Sequence, residues 1–232
     1  MIEKERKCLP DQNALDSLLK EGAERLYVFL SDDQLKLFAL YWRELQEWNS
    51  VTNITSIKSL KDTIIKHFLD SLSVVENLPG SGRLADIGSG GGFPGIPVAI
   101  VRPDLKVVLI EAARKKANFL RQVVRVIGLK NVAVYHGRAE ALATDGRFEC
   151  IVSRAFSSME TFLRISAPLL AEGGIVIAMK GKKNEQEMRE AEQEMRKARL
   201  IIIEKRHFML PFHGGTRTIV VFKKNVSRET LA

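Results

Sequence analysis

The sequence predicts an α/β protein with a seven-stranded, mostly parallel sheet and a helical N-terminal extension. The chain has 232 residues, 45% of them apolar, which suffices for one full hydrophobic core and a smaller appendage. Beyond residue 80, short β-rich runs alternate with helical stretches, a pattern typical of parallel βαβ units. We therefore expect residues 1–80 to form the helical extension and residues 81–232 to form the main domain.

Two helices are predicted in the extension. The first has apolar residues that recur every three or four positions: Leu35, Phe38, Trp42 and Leu45. Ser31 precedes two acidic residues and is expected to cap the start of this helix. A polar break over residues 49–55 separates it from a second helical stretch at about residues 60–77. Pro79 and the glycines beside it then mark the boundary with the main domain.

Seven strands are predicted in the main domain. They cover residues 83–87, 106–110, 132–135, 148–152, 174–179, 200–206 and 218–222. Helical segments separate the first six runs, so parallel pairing is expected among them. The last two runs are joined only by a loop that contains Pro211 and Gly214. This loop predicts a hairpin at the edge of the sheet, with an antiparallel final strand.

Composition excludes several classes of protein. No apolar run approaches the roughly 18 to 20 residues of a membrane span, and the N-terminus lacks the apolar stretch of a signal peptide. Cys8 and Cys150 are far apart and lack the spacing of metal ligands, so neither a disulfide framework nor a zinc site is expected. We expect a soluble, cytoplasmic protein.

Positive charge is concentrated in the main domain. The whole chain carries a formal net charge of +8. Residues 1–80 contain 10 Lys and Arg against 13 Asp and Glu, whereas residues 81–232 contain 26 against 15. The main domain is therefore the part that would attract a polyanion such as RNA, although net charge alone is weak support for RNA binding.

A glycine-rich turn follows the first predicted strand, where residues 86–92 read Asp-Ile-Gly-Ser-Gly-Gly-Gly. Open α/β sheets bind ligands at the carboxyl ends of their strands, and glycines let the backbone turn sharply against the ligand. About 25 residues beyond Asp86, at the end of the second strand, Glu111 is placed to accept hydrogen bonds from ribose hydroxyls. The pattern predicts a nucleoside cofactor held by Asp86, Gly88, Gly90 and Glu111.

The identity of the cofactor depends on the spacing within this turn. Gly90, Gly92 and Gly95 satisfy the GxGxxG pattern of dinucleotide-binding dehydrogenases, which is weak by itself. Asp86 at the end of the strand and the spacing Asp-x-Gly-x-Gly-x-Gly favour S-adenosylmethionine, which has no pyrophosphate to seat on a helix N-terminus. We therefore favour a methyltransferase. A nicotinamide-dependent reductase and a non-catalytic RNA-binding protein with the same fold remain as alternatives.

The segment after the fourth strand narrows the chemistry of the methyl acceptor. Residues 153–156 read Ser-Arg-Ala-Phe, in place of the Asn/Asp-Pro-Pro-aromatic sequence of enzymes that methylate exocyclic amines. Methylation of pyrimidine carbon 5 needs an exposed cysteine nucleophile, whereas Cys150 lies within an apolar strand. A ring nitrogen with a free lone pair, such as N7 of guanine, needs only alignment and a suitable electrostatic environment.

Arg154 is the candidate catalytic residue for such a transfer, because its guanidinium can donate to guanine O6 or to a phosphate. Phe156 offers a stacking surface for a purine. Four further basic residues lie near predicted carboxyl strand ends or loops: Lys180, Lys182, Lys183 and Arg217. Of these, Lys180 and Arg217 are the candidates for binding the substrate.

His67 and Asp70 lie three residues apart on one face of the second predicted helix. Such a pair could indicate a metal site or an acid–base pair, but no third ligand stands at a recognisable spacing. No metal is expected, and we interpret the pair as positioning the substrate or the extension.

The whole chain resembles the bacterial 16S rRNA guanine-N7 methyltransferase G family, also called glucose-inhibited division protein B. The matching motifs are residues 48–49, 53–55, 67–71, 86–97, 102–103, 119–120, 138–140, 153–156 and 180–181. The resemblance implies a Rossmann-like class I methyltransferase domain that uses S-adenosylmethionine. It also implies methylation of guanine N7 in the 530 loop of 16S rRNA, on the 30S subunit or its precursor, by a monomeric enzyme.

The resemblance further implies roles for individual residues. Cofactor contacts fall on Gly88 and Phe93, on Glu111 for the ribose, on Ala139 and Glu140 for the adenine region, and on Arg154 near the methyl group. Substrate contacts fall on Arg138 and His67, besides Lys180 and Arg217. The chain departs from the commonest family pattern at Gly91, Phe93 and Glu111, but an apolar contact and a ribose acceptor are kept.

Overall fold

The computed structural model describes residues 12–142, 147–154, 156, 158–181 and 185–225. Within them, seven strands form one sheet: β1 (Gly82–Ile87), β2 (Leu105–Glu111), β3 (Val132–His136), β4 (Phe148–Arg154), β5 (Leu170–Lys180), β6 (Leu200–Met209) and β7 (Thr216–Lys224). Their order is β3-β2-β1-β4-β5-β7-β6, and every pairing is parallel except the two made by β7. The predicted α/β fold with a mostly parallel sheet is confirmed.

The last two strands form the predicted hairpin, but the final strand takes the inner position. β7 lies between β5 and the edge strand β6. Residues 218–222 of β7 are all buried, whereas most side chains of β6 are exposed or half-buried. A strand that is apolar on both faces is stable only inside a sheet, and a half-polar strand suits its edge.

Helices of the main domain cover both faces of the sheet. They are α5 (Gly95–Val101), α6 (Arg114–Ile127), α7 (Met159–Ser166) and α8 (Glu185–Lys197). Helices α5 and α6 share one apolar cluster with Leu84 of β1, while α7 and α8 share a second cluster with the adjacent Ala85. Because neighbouring residues of a strand point to opposite faces, the two clusters lie on opposite sides of the sheet.

The extension consists of α1 (Gln12–Glu24), α2 (Asp32–Asn49) and a third helical region. Ser31 caps α2 as predicted, since its hydroxyl accepts from the Gln34 amide at 3.2 Å and its amide donates to Gln34 Oε1 at 2.9 Å. Apolar residues of α1 and α2 belong to the same cluster as α5 and α6. The extension is therefore packed on the core of the main domain.

The predicted helical stretch over residues 60–77 is confirmed in extent, but it is not one regular α-helix. The region divides into α3 (Leu60–Thr63), a π-helix (Ile64–Leu69), α4 (Asp70–Leu72) and a 3-10 turn (Val75–Asn77). The apolar spacing of the sequence is compatible with any of these helices, whereas the wider π turn depends on tertiary contacts made by its residues. None of the helices in the described ranges is long and apolar enough to cross a membrane.

Candidate cofactor and substrate site

The candidate site lies at the carboxyl ends of the central strands. β1 has β2 on one side and β4 on the other, and this switch in strand order opens a crevice where such folds bind ligands. The glycine-rich turn follows β1, Glu111 ends β2 and Arg154 ends β4. The fold thus brings these three predicted elements to one edge of the sheet.

The glycine-rich turn presents bare backbone to open space. Gly88 and Gly90 have positive φ angles of 73° and 58°, which side chains with a Cβ rarely adopt. A Cβ at Gly88 would meet no atom within 4 Å, and one at Gly90 would meet only the Gly88 carbonyl oxygen, at 3.8 Å. The amides of Gly88 and Ser89 donate to the Ile110 carbonyl at 2.9 and 3.1 Å. The turn is therefore anchored to β2 and has room for a ligand against its outer side.

Asp86 lies beneath the turn. Its side chain is fully buried, and Oδ2 accepts a hydrogen bond of 2.9 Å from the Gly95 amide at the start of α5. Oδ1 is buried with no hydrogen-bond partner in the described part of the chain. Burial raises the pKa of Asp86 to about 7. In this position Asp86 supports the turn, and its contact with a cofactor stays a prediction.

Glu111 is the second acidic residue of the crevice. Its Oε2 accepts a hydrogen bond of 2.8 Å from the Gly90 amide, and its Oε1 accepts one of 2.8 Å from the Ala113 amide. These bonds fix the carboxylate at the end of β2, next to the glycine-rich turn. Each carboxylate oxygen keeps a further lone pair, so the group retains capacity to accept from ribose hydroxyls.

Helix α2 of the extension packs on the glycine-rich turn. The Tyr41 hydroxyl donates to the Gly91 carbonyl oxygen, and its ring stacks on Phe93 with centroids 5.4 Å apart. Gly92 has a φ of 94°, and a Cβ there would collide with Tyr41 and Ile96. Both aromatic rings are buried. The extension therefore holds the turn from behind, and direct contact of Phe93 with a cofactor stays a prediction.

Arg154 is held in place by the extension. Nη1 donates to the Lys66 carbonyl at 2.9 Å and to Asp70 Oδ2 at 3.3 Å, while Nη2 donates to His67 Nδ1 at 3.1 Å. The guanidinium carbon lies 4.9 Å from the centroid of the Phe93 ring, a cation–π geometry. Its side chain is 18% exposed. The predicted catalytic arginine is thus fixed and largely buried, yet it still reaches the surface.

The π-helix creates this arrangement. π-helical turns are rare and occur mostly at functional sites. Two hydroxyls bond to carbonyl oxygens of this region: Ser71 Oγ donates to His67 and Ser73 Oγ donates to Asp70, each at 2.6 Å. All three partners of the guanidinium lie in the π-helix or immediately after it. The π-helix therefore provides the groups that hold the Arg154 guanidinium.

His67 supports Arg154 as a neutral ring. Nδ1 lies 3.1 Å from Arg154 Nη2 and also 3.1 Å from the Lys66 carbonyl oxygen. Because a guanidinium can only donate, we assign Nδ1 as the acceptor and Nε2 as the N–H that donates to Thr55 Oγ1 at 2.8 Å. Burial, and then the charge of Arg154, lowers the pKa of His67 to about 3. The imidazole also stacks on Phe93, with centroids 4.3 Å apart. Because both nitrogens are engaged, the geometry favours a supporting role over the direct substrate contact expected from the sequence.

Asp70 connects two arginines. Its Oδ1 accepts from Arg217 Nε at 2.9 Å, and its Oδ2 accepts from Arg154 Nη1 at 3.3 Å. Burial raises the pKa of Asp70, while the two guanidinium groups act in the opposite direction. Because β7 is antiparallel, Arg217 near its start reaches the edge where β4 ends. Asp70, Arg154 and Arg217 form one unit, called here the arginine cluster.

Lys180 and its neighbours lie further along the same edge. Lys180 ends β5, donates to the Phe156 carbonyl at 3.0 Å and pairs with Glu187 at 3.1 Å. The lysine therefore has protein partners on this edge, and its contact with a substrate stays a prediction. The candidate residues Ala155, Lys182 and Lys183 lie outside the described residues.

The predicted adenine-binding residues follow β3. Ala139 is buried in a 3-10 turn (Ala139–Ala141), with Arg138 and Glu140 exposed on either side. Glu111 is paired in register with His136 at the end of β3, so this turn starts close to the predicted ribose acceptor. The structure thus brings Ala139 and Glu140 to the side of the crevice opposite Arg154.

Sequence reasoning assigned no role in the site to three residues that build it. Tyr41 bonds to the glycine-rich turn, and Thr55 bonds to His67. Asn49 organises the loop before Thr55, since its side chain accepts from the Ile54 and Thr55 amides at 2.9 and 3.0 Å. The polar break over residues 49–55 could have indicated Asn49 and Thr55, because polar side chains in a loop between helices often hydrogen-bond to the loop backbone and fix it.

S-adenosylmethionine fits the residues present at this crevice. The open side of the glycine-rich turn leaves space for a ligand against the backbone of Gly88 and Gly90. Glu111 retains acceptor capacity for a ribose, and its negative charge suits a ligand that carries a positive charge. The 3-10 turn at Ala139 offers a buried apolar contact on the same side.

Comparison with known proteins finds relatives that match nearly the whole chain. A family model described as rRNA small subunit methyltransferase G matches residues 34–218. The ribosomal RNA small subunit methyltransferase G of Syntrophus aciditrophicus is 42% identical over 217 residues, which cover 91% of this chain and 90% of that protein. The protein of the same name from Geobacter metallireducens is 41% identical over 220 residues, covering 94% of this chain and 100% of that protein.

Solved structures share the fold at low sequence identity. The M. jannaschii TYW2 structure, determined in complex with AdoMet, has a TM-score of 0.55 at 15% identity, covering 72% of this chain and 77% of that chain. The B. subtilis tRNA methyltransferase TrmK has a TM-score of 0.56 at 17% identity, covering 68% and 66%. The family match confirms the prediction of S-adenosylmethionine as the cofactor and sets aside the reductase. This chain therefore belongs to the rRNA small subunit methyltransferase G family.

Proposed function

We propose that this protein transfers the methyl group of S-adenosylmethionine to N7 of a guanine in the 530 loop of 16S rRNA, within the 30S subunit or its precursor. The observation that carries the proposal is the guanidinium of Arg154, fixed by three protein partners at the end of β4. A fixed cationic donor favours an acceptor with an oxygen next to a nucleophilic lone pair. Guanine has this arrangement, with O6 beside N7.

The groups around Arg154 support an acceptor that needs no deprotonation. His67 has no free lone pair for a proton, since Nδ1 accepts from Arg154 and Nε2 donates to Thr55. Cys150 is fully buried, and burial raises the pKa of its thiol, so it is no nucleophile. Exocyclic amines and 2′-hydroxyls lose a proton on methylation, and carbon 5 of pyrimidines needs a thiolate. Guanine N7 needs neither.

Arg154 retains donors for such an acceptor. A guanidinium has five N–H groups, and three hydrogen bonds lead to Lys66, Asp70 and His67. In the described part of the chain, Nε–H and the second hydrogen on Nη2 have no partner. We assign these two donors to guanine O6 or to a flanking phosphate. Arg154 would then orient N7, which is catalysis by positioning.

The charge balance of the arginine cluster also suits this reaction. When bound, S-adenosylmethionine supplies a methyl group on a positively charged sulfur, and that positive charge passes to the purine during transfer. The carboxylate of Asp70 offsets the charges of Arg154 and Arg217, which makes a cationic purine beside them less unfavourable. His67, with a pKa of about 3, adds no positive charge at neutral pH.

Transfer of labelled methyl groups to small ribosomal subunits from a strain that lacks this gene tests the proposal. Mass spectrometry of the product nucleosides should show 7-methylguanosine. Arg154→Met should lower kcat by about 100-fold or more, the usual effect of removing one fixed transition-state donor. Arg154→Lys should also lower kcat strongly, because an ammonium cannot replace the planar fork that reaches three partners.

Arg121→Lys serves as the matched control, since Arg121 is exposed on α6 and its guanidinium hydrogen-bonds only to Asn118 in the described residues. This exchange should leave kcat unchanged. A methylated nucleoside other than 7-methylguanosine would refute guanine N7 as the acceptor. Binding of S-adenosylmethionine without methyl incorporation into any ribosomal RNA would instead favour the non-catalytic RNA-binding protein.

A further inference from the structure

The connection between α1 and α2 exposes two aromatic side chains. Tyr27 is 83% exposed and Phe29 is 79% exposed, whereas Val28 and Leu30 are buried. Val28 and Leu30 therefore anchor this short segment to the core, while Tyr27 and Phe29 point outwards. We call Tyr27 and Phe29 the aromatic pair. Two exposed aromatic side chains so close in sequence are uncommon on a surface that meets only water.

The backbone conformation makes tyrosine a costly choice at position 27. The Val28 amide donates to the Ala23 carbonyl and the Tyr27 amide to the Glu24 carbonyl, each at 2.9 Å. These two bonds are the Schellman motif that ends α1, and Tyr27, with a φ of 58°, takes the position that glycine usually occupies. Folding stability alone would favour glycine there. Since the exposed ring gains no packing in return, its presence points to a role outside the fold.

The chain segment that contains the aromatic pair is acidic, in contrast to the whole chain. Residues 16–36 contain five Asp and Glu against three Lys and Arg, whereas the chain as a whole has a net charge of +8. Glu24 and Asp32 flank the pair, are exposed, and have no ion-pair partner in the described residues. Asp16 is close enough for Asp32 to add to the effect of burial in raising its pKa. Such a surface repels phosphates and attracts basic side chains.

The end of α1, which precedes the aromatic pair, contacts the segment that leads into β7. The guanidinium of Arg25, at the end of α1, lies 4.5 Å from the centroid of the Phe212 ring. Phe212 belongs to the 3-10 turn Pro211–His213, which leads directly into β7 and Arg217. The end of α1 and the start of β7, where Arg217 lies, are therefore linked through this turn.

We propose that Tyr27 and Phe29 dock a lysine- or arginine-rich polypeptide segment carried by a protein of the substrate particle. The ring faces bind cationic heads and their aliphatic stems, and the carboxylates of Glu24 and Asp32 pair with the charges. Nucleotide bases also stack on exposed rings, but they bring phosphates to an acidic surface. The proposal rests on the proposed function, because it requires a ribonucleoprotein substrate.

The test compares binding to intact small ribosomal subunits with binding to 16S rRNA stripped of protein. The double variant Tyr27→Gly with Phe29→Ser should bind intact subunits roughly tenfold more weakly, as expected for loss of aromatic anchors. Its affinity for protein-free rRNA should stay within about twofold of the wild type. Tyr27→Phe keeps the ring and should retain binding.

The thermal stability of a Tyr27 variant distinguishes a docking role of the ring from a structural one. Because glycine suits the position, Tyr27→Gly should leave Tm unchanged or raise it by up to about 4 °C, while binding to subunits weakens. Ile201→Ala is the matched control, since Ile201 is an exposed apolar residue at the start of β6, at the opposite edge of the sheet. It should change neither affinity.

Three results would overturn the proposal. Equal weakening on protein-free rRNA would mean that the rings stack on bases, and unchanged affinity for both substrates would mean that the pair docks nothing there. A wild-type dimer that Tyr27→Gly dissociates would assign the pair to a second copy of the chain. Failure of the proposed function is distinguishable, because it would appear as wild-type protein that does not methylate small subunits.

Discussion

Asp70 accepts hydrogen bonds from Arg154 and Arg217 while its carboxylate is almost wholly removed from water. Asp70→Asn keeps the shape but leaves two guanidinium groups without their shared anion. Removing one partner of a buried ionic cluster costs about 3–5 kcal/mol. We expect the free energy of unfolding, measured by urea denaturation, to fall by about 3 kcal/mol because both arginines are partly exposed. The kcat for methyl transfer should fall with it.

Asp33→Asn is the control for this prediction. Asp33 pairs with Lys36 on an exposed helix surface, where solvent screens the interaction. Urea denaturation should show no measurable change for this variant. A stability of Asp70→Asn equal to that of the wild type would contradict the view that Asp70 neutralises the cluster.

Asp86 gives stability a dependence on pH. Its pKa is about 7 in the folded protein, against an ordinary value of 3.8 in the unfolded chain. Because the folded protein binds this proton more tightly than the unfolded chain does, Asp86 makes its full contribution to the free energy of unfolding below pH 3.8. That contribution is lost as the pH rises towards 7. Asp86→Asn keeps the acceptor for the Gly95 amide but does not ionise, so it escapes this loss.

The difference in unfolding free energy between Asp86→Asn and the wild type should therefore shift with pH. From pH 5 to pH 8 it should move by roughly 3 kcal/mol in favour of the variant. Chemical denaturation of both proteins at each pH measures this shift, and effects of other titrating groups cancel in the difference. A difference that is the same at pH 5 and pH 8 would show that Asp86 is ionised throughout.

Among the elements, helix α2 is predicted to control the affinity for the cofactor. Tyr41→Phe removes the hydroxyl that bonds to the Gly91 carbonyl but keeps the ring on Phe93. Loss of one buried hydrogen bond costs about 1 kcal/mol, so Tm should fall by a few degrees. A looser turn should raise the Kd for S-adenosylmethionine several-fold in isothermal titration calorimetry.

Tyr27→Phe is a suitable comparison, because the exposed Tyr27 hydroxyl has no hydrogen-bond partner in the described residues. This exchange removes the same atom from a position remote from the glycine-rich turn. We expect its Kd for S-adenosylmethionine to equal that of the wild type. Equal Kd values for Tyr41→Phe and the wild type would mean that α2 supports the turn without shaping it.

At the scale of the whole molecule, the uneven distribution of charge predicts how rRNA binding responds to salt. Residues 81–232 carry 26 Lys and Arg against 15 Asp and Glu. If the main domain neutralises several phosphates, affinity for protein-free 16S rRNA should fall at least about tenfold from 50 to 200 mM salt. The Kd for S-adenosylmethionine should barely change over the same range. A flat salt response for rRNA would rule out phosphate contacts as the main source of affinity.

Much of this architecture could be predicted because it depends on local patterns. Alternating β-rich and helical runs indicated the parallel sheet, and parallel strands bring their carboxyl ends to one edge. The glycine-rich turn, Glu111 and Arg154 could therefore be expected to meet before any coordinates were known. The sequence also indicated a final hairpin, because no helix separates its two strands.

The remainder depends on contacts between distant segments. The apolar spacing of residues 60–77 fits a plain α-helix, and nothing in it reveals that its carbonyls and side chains must receive Arg154. Likewise, the inner position of β7 follows from which strand is buried on both faces, a property of the assembled sheet. The Tyr41 bond to Gly91 joins residues that no local motif connects.

Arg154 of the main domain is held by hydrogen bonds to the extension, and this limits which extensions can be exchanged between relatives by recombination. A chimera that joins the first 80 residues of a relative to this main domain would also need groups that match Gly91, Phe93, Arg154 and Arg217. Such an exchange would succeed only where donor and recipient already agree at these positions. The extension and the main domain are therefore expected to be inherited together, as one unit that spans the boundary predicted near residue 80.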